Sequence, residues 1–122
     1  MSNDRAAIEK AVHTYFDAFY ENDVDKIASV FHPTCELTFE KDGELVIWPR
    51  DEWLDRIRDR VSAKAQGLER DDAILMFDQP GPSIAMVKVK CQFLPSKFTD
   101  YLVFAKAGGA WKVAQKVFMI EQ

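Results

Sequence analysis

The sequence predicts an α+β fold in which helices group on one side of a mostly antiparallel sheet, in the order ααββαββββ. Apolar residues recur at helical spacing before Val30 and again after Pro49. Alternation with a period of two governs Cys35–Trp48 and most of the chain beyond Asp72. Turn signals, not linkers, separate these segments, and there is no repeat or low-complexity tract. The 122 residues are therefore read as one domain spanning 1–122, long enough to bury about two-thirds of its unfolded surface.

The first helix is expected from about Asn3 to Tyr20, with Ile8, Val12, Tyr15 and Phe19 on one apolar stripe and Ser2, Asn3 and Asp4 as candidate N-caps. Asp23 caps a second, shorter helix that turns Val24, Ile27, Ala28 and Phe31 inward. Pro33 disfavours helical geometry at His32, so this helix is expected to end there, with the imidazole serving the last carbonyls. A strand then runs from Cys35 to about Glu40, turns at Lys41-Asp42-Gly43 and returns through Glu44–Trp48. Arg50–Val61 reads as a helix with Trp53, Leu54, Ile57 and Val61 inward. Four strands follow: Asp72–Phe77, Ser83–Phe93, Phe98–Lys106 and Trp111–Ile120. Asp78-Gln79-Pro80-Gly81-Pro82, Pro95-Ser96 and Gly108-Gly109 separate them.

Pairing across the last two turns assigns the strand faces. Cys91 is expected opposite Asp100 and Val89 opposite Leu102; Leu102 then faces Lys116, and Asp100 faces Phe118. One face carries Val87, Val89, Cys91, Phe93, Phe98, Asp100, Leu102, Phe104, Lys116, Phe118 and Ile120. It is apolar except for Asp100 and Lys116, and should meet the helices. The other face carries Met86, Lys88, Lys90, Tyr101, Val103, Trp111, Val113, Gln115, Val117 and Met119. That is more apolar than a solvated surface, so a homodimer through this sheet face is expected.

Composition narrows the function. The net charge is −4 and the pI about 5.1, leaving no basic footprint for nucleic acid. No apolar run is long enough to span a membrane, and MSNDRAAIEK lacks a signal peptide's apolar region. Cys35 and Cys91 are isolated thiols, and His13 and His32 complete no metal-ligand spacing. A cytoplasmic protein without a metal or other cofactor is expected. Nine Phe, three Tyr and three Trp exceed an average core's needs and fit either a cavity walled by rings or a bulky core.

Phe31-His32-Pro33 before a strand, the segment RDEWLDRI from Arg50 to Ile57, and above all DYLVFAKAGGAWKVAQKVF from Asp100 to Phe118 carry a resemblance. The chain resembles the nuclear transport factor 2-like superfamily, and within it most closely the family labelled putative lumazine-binding. The resemblance covers nearly the whole chain and implies a curved sheet around the first helix, a pocket at the open end, and often a dimer. Ketosteroid isomerase belongs to the same superfamily; there an Asp base works with a Tyr and a protonated Asp that donate to a developing enolate. By that resemblance the Tyr falls on Tyr15 and the donor Asp on Asp100, but the base falls on Phe39, which cannot accept a proton. Isomerase activity is accordingly disfavoured. Glu40 points away from Phe39's face, and Glu36 reaches it only with a register shift.

Lys116 lies diagonal to Asp100 and should form a buried or half-buried ion pair with it in a greasy pocket. The expected ligand-binding residues are Tyr15, Phe39, Trp48, Trp53, Cys91, Asp100, Lys116 and Phe118; Asp100 and His32 are the catalytic candidates. The leading expectation is a binding domain for a small, flat, largely apolar molecule. An enzyme of the same fold, such as a polyketide cyclase or hydrolase, and an association module acting through its sheet face are the alternatives.

Overall fold

The helices are α1 (Asp4–Glu21), α2 (Val24–Ala28) and α3 (Arg50–Ile57) in the computed structural model, which describes residues 4–93 and 96–121. The strands are β1 (Phe31–Lys41), β2 (Glu44–Pro49), β3 (Ala73–Asp78), β4 (Ile84–Phe93), β5 (Ser96–Ala107) and β6 (Ala110–Ile120). The order is the expected ααββαββββ. The strands lie side by side as β2-β1-β6-β5-β4-β3, with β1 parallel to β6 and every other neighbouring pair antiparallel.

On α1 the stripe Ile8, Val12, Tyr15 and Phe19 is buried, as its spacing dictates. Ser2 and Asn3 lie outside the described residues, and Asp4 is the first helical residue. Its carboxylate accepts from Trp111 Nε1 at 3.1 Å, Lys106 Nζ at 3.3 Å and Gln79 Nε2 at 3.2 Å. The helix ends at Asn22, whose φ of 53° turns the chain while Asp23 N–H returns to Ala18 C=O and Asn22 N–H to Phe19 C=O. These are the two bonds of a Schellman stop. Asp23 then caps α2 as expected, accepting from Lys26 N–H.

Both short helices end earlier than their patterns imply. α2 stops at Ala28, and Phe31 and His32 already belong to β1. Strand pairing takes over: Val113 N–H donates to Val30 C=O, and Phe31 pairs with Val113. The free carbonyls are taken by Arg50, which donates to Ala28 and Phe31, and by Lys112, which donates to Ser29, leaving His32 no capping role. Pro33 lacks an N–H and cannot join a ladder, and the β1–β6 register jumps between Phe31 and Glu36. The His32-Pro33-Thr34 corner is thus a strand irregularity, not a helix stop. α3 ends at Ile57 instead of Val61 because Asn22 Nδ2 caps it, donating to Ile57 C=O at 2.8 Å and to Arg60 C=O at 2.9 Å. Val61 is consequently exposed, not inward.

In the sheet, the β5–β6 register matches expectation at the site, with Leu102 opposite Lys116 and Asp100 opposite Phe118. The β4–β5 register lies two residues from the expected one: Val89 faces Asp100, Cys91 faces Phe98, and Leu102 faces Val87. Phe93 and Ser96 pair, so only positions 94 and 95 connect the strands. A slip of two preserves the faces, and Val87, Val89, Cys91, Asp100, Leu102, Phe104 and Lys116 are all buried inward. The side chain of Phe93 lies outside the described residues, and Ile120 is exposed.

Trp111 and Val113 are corrected from the outer to the inner face. Ala114 is an extra residue on β6 between the pairs Val103–Gln115 and Phe104–Val113, and this bulge reverses the alternation. Both side chains are buried. The helices cover the inner face, with α1 against β4 and β6 and α3 against β1.

Asp4→Ala should lower stability by about 1–3 kcal/mol, because it strands the Trp111 indole N–H in a buried position. Urea unfolding followed by tryptophan fluorescence measures this; a loss below about 0.3 kcal/mol contradicts the assignment.

Candidate functional site

Three strands and one helix converge on one buried polar group. Tyr15 points from the inner stripe of α1, Cys91 from β4, Asp100 from β5 and Lys116 from β6. All are at most 2% exposed. Tyr15 Oη donates to Asp100 Oδ2 at 2.8 Å, and Lys116 Nζ donates to Tyr15 Oη at 2.8 Å. Lys116 Nζ also lies 3.6 Å from Asp100 Oδ2, and the Cys91 thiol donates to that oxygen at 3.5 Å. The diagonal ion pair foreseen across β5 and β6 is present, with the Tyr15 hydroxyl bridging its two members. Asp100 Oδ1 meets no hydrogen-bond donor among the described residues.

Rings surround the ammonium. Lys116 Nζ lies 4.5 Å from the ring centre of Trp53, 4.8 Å from Phe118, 5.2 Å from Phe19 and 5.3 Å from Tyr15. Such contacts favour a cation most where water is excluded. Burial raises the Tyr15 phenol well above its ordinary pKa, and the Asp100 charge adds to this. The phenol therefore keeps its proton and acts as a donor. Burial, followed by the Asp100 charge, raises the Cys91 thiol well above its ordinary value. Burial pushes Cys35 up to about 12 against the opposing pull of Lys116 and Arg50. Neither thiol has the thiolate character a nucleophile needs.

Above this network lies a cleft of about 220 Å³. Phe19, Phe39, Trp48, Trp53, Phe98 and Phe118 wall it, and Lys116 supplies its floor. Arg56 and Arg60 stand on the side formed by α3 and the turn after it. Phe39 packs edge-on against Trp48 at 5.0 Å and tilted against Phe118 at 5.1 Å. The Arg56 guanidinium stacks 4.5 Å over Trp48 and pairs with Glu52 at 3.2 Å. Phe39, Phe118 and Ile120 also border a groove of about 430 Å³ that continues past Glu40, Lys41 and Met119.

Of the expected site residues, Phe39, Trp48, Trp53, Lys116 and Phe118 line the cleft directly. Tyr15, Cys91 and Asp100 do not line it; they stand behind Lys116 and fix its ammonium. His32 belongs to neither group. Its Nδ1 accepts Thr34 N–H at 3.2 Å and lies 2.7 Å from Thr34 Oγ1, which ties down the β1 irregularity. Glu36 and Glu40 are exposed and line no part of the cleft, and Glu40 Oε2 accepts Gly43 N–H in the turn. Sequence reading missed Phe19, Arg56, Ile57, Arg60, Phe98 and Ile120 as lining residues. Phe19 follows Tyr15 by four positions and Arg56 follows Trp53 by three, so helical spacing carried a signal for both.

The family model described as putative lumazine-binding matches residues 3–119. The chain belongs to this family. A nuclear transport factor 2-like protein of unknown function from Silicibacter pomeroyi DSS-3 is 25% identical, with a TM-score of 0.84 over 99% of this chain and 100% of its own. A nuclear transport factor 2-like protein of unknown function from Shewanella baltica OS155 shares 19% identity and a TM-score of 0.87, over 100% of this chain and 98% of that one. A ketosteroid isomerase-like protein from Erwinia carotovora atroseptica SCRI1043 shares 15% identity at a TM-score of 0.75, over 100% and 99%. At these last two identities the likeness establishes the fold alone. No curated protein matches the sequence. Among the described residues, no helix of this family member is long and apolar enough to cross a membrane.

The raised thiol and phenol pKa values set a pH dependence. Above about pH 9 the unfolded chain releases protons that folded Cys35, Cys91 and Tyr15 retain, so stability falls as pH rises. Cys35→Ala should flatten this fall between about pH 9 and 12 by up to about 1.4 kcal/mol per pH unit. Chemical denaturation at stepped pH measures it, and an unchanged slope refutes the assignment. In a double-mutant cycle, Asp100→Asn and Lys116→Met should be non-additive by about 1 kcal/mol or more; additivity would sever the pair.

Proposed function

We propose that this family member is a small-molecule-binding domain whose site is the aromatic cleft above Lys116. The observation that carries the reading is the cleft's construction: six aromatic side chains enclose one polar floor group, held in place by a buried network it shares with Tyr15 and Asp100. Apolar walls with few convergent polar groups suit a flat ring system, lumazine-like or otherwise, with polar orientation from below. Phe39 removes the base that ketosteroid isomerisation requires, and the buried thiols and remote His32 offer no replacement. Binding, not turnover, is the function this chemistry supports, and the chain would serve it as one domain.

A homodimer through the outer sheet face belongs to the same reading. Ile47, Thr38, Val117, Tyr101, Lys88 and Met76 pair in sequence across the strands, making one outward row that crosses the whole sheet. Ile47, Val117, Tyr101 and Met76 are each about half exposed. Such a row is more apolar than a lone monomer usually leaves in water. The buried free thiols of Cys35 and Cys91 accord with a reducing, cytoplasmic setting.

Native mass spectrometry of freshly purified protein tests both parts. The expected spectrum is a dimer carrying a small molecule that is lost on denaturation. Trp48→Ala should weaken a flat ligand about three- to ten-fold through lost stacking. Val117→Lys should convert dimer to monomer. A monomer in the unaltered chain at high concentration sinks the dimer, and Trp48→Ala without effect on affinity sinks the cleft.

A further inference from the structure

The polar side chains lining the cleft are Lys116, Arg56 and Arg60; its other lining residues are apolar. Each polar member is a cation that donates and cannot accept hydrogen bonds. Among the described residues, no carboxylate lines the space. Asp100 lies behind Lys116, at 3.6 Å from Nζ, and Glu52, about half exposed and not among the lining residues, pairs with Arg56 at 3.2 Å. A ligand therefore meets positive charge at contact distance and negative charge only beyond it. Nearness decides the sign at the buried Lys116 floor, because Coulomb energy falls with distance and is weakly screened there.

The ammonium also has donor capacity that no oxygen among the described residues fills. One N–H goes to Tyr15 Oη, and Asp100 Oδ2 lies beyond hydrogen-bond length. What remains faces the rings of Trp53, Phe118 and Phe19. A ring face attracts a cation, but an anionic oxygen makes a much stronger, charge-assisted bond. Size sets the other limit. An apolar cavity of about 150 Å³ takes one benzene ring, so about 220 Å³ takes roughly two fused rings. The groove beyond Phe39 and Phe118 leaves room for a substituent.

We infer that the cleft selects a negatively charged two-ring aromatic ligand, a carboxylate or enolate whose oxygen reaches Lys116, over its neutral and cationic isosteres. This rests on the reading of the cleft as the ligand site. The charged group seats against the floor or beneath Arg56 and Arg60, and the rings stack among Trp48, Trp53 and Phe118. A cationic ring of the same shape meets the Lys116 ammonium at the floor and is rejected.

Isothermal titration calorimetry of the full chain with 2-naphthoate, 2-naphthamide and 2-naphthylmethylammonium tests the inference. Naphthoate should bind at least ten-fold more tightly than naphthamide, and the ammonium should bind most weakly. Lys116→Met should cost naphthoate about ten-fold and cost naphthamide, whose neutral carbonyl makes only a weaker bond to the ammonium, several-fold less. If that variant fails to fold because it leaves Asp100 unpaired, Arg56→Gln, at an exposed position, should still narrow the preference for naphthoate over naphthamide several-fold. Equal affinity for acid and amide, both weakened by Trp48→Ala, overturns charge selection and leaves the site in place. Failure of all three probes to bind overturns the site and the inference together.

Discussion

The bridge from Asp100 through Tyr15 to Lys116 is the constraint on which the rest of the interior depends. Three elements distant in sequence each contribute one member, and none of the three side chains tolerates burial alone. A lysine and a carboxylate taken from water cost several kcal/mol apiece unless they meet each other and further donors. Tyr15 meets part of that cost by donating to Asp100 while accepting from Lys116. Its position on α1 thereby fixes how the helix lies across β4, β5 and β6. Replacing the trio with apolar residues would give an equally packable core. Its burial is therefore weak evidence of stability, and its other consequence is the group it presents to the cleft.

What it presents is a cation with a fixed position and an incomplete hydrogen-bond shell. A lysine on a flexible stem is ordinarily a poor positioning group. Here Tyr15 anchors the ammonium from behind while four rings confine it. The aromatic residues have two roles at once, completing the hydrophobic core and walling the cleft. Phe19 and Trp53 contact each other within the core at 6.5 Å and also line the cavity. The boundary between core and site is one ring thick.

Much of this was legible in the sequence because it rests on local periodicity. The stripe on α1, the β1–β2 turn and the parity of Asp100 and Lys116 follow from spacing alone, and the diagonal ion pair follows from parity plus one turn position. What escaped depends on partners remote in sequence. No local pattern announces that Asn22 will cap α3, or that Val113 will capture Val30 and Phe31 before α2 can continue. His32 looked like a helix terminus because Pro33 forbids helix there. The same proline also forbids ladder pairing, and pairing with β6 settled which consequence appeared. Arg56 and Arg60 were overlooked because a charged residue on a short helix ordinarily reads as solvated surface. Only the fold places them beside Trp48.

The bulge at Ala114 shows how one strand serves both purposes. Trp111 and Val113 are odd-numbered and face inward, as the end of the sheet near Asp4 requires. Lys116 and Phe118 are even-numbered and must also face inward to floor the cleft. Strict alternation permits one pair or the other, since a strand's faces change with every residue. An inserted residue between Val113 and Gln115 resets the parity, and β6 can then bury a core at one end and build a site at the other. The irregularity of β1 between Phe31 and Glu36 lies against the same point of β6, so both strands change step together. Deleting Ala114 would not simply shorten a strand. It would force a choice between the Trp111–Asp4 anchor and Lys116 in the cleft, which makes the bulge the joint between the fold's stability and its site.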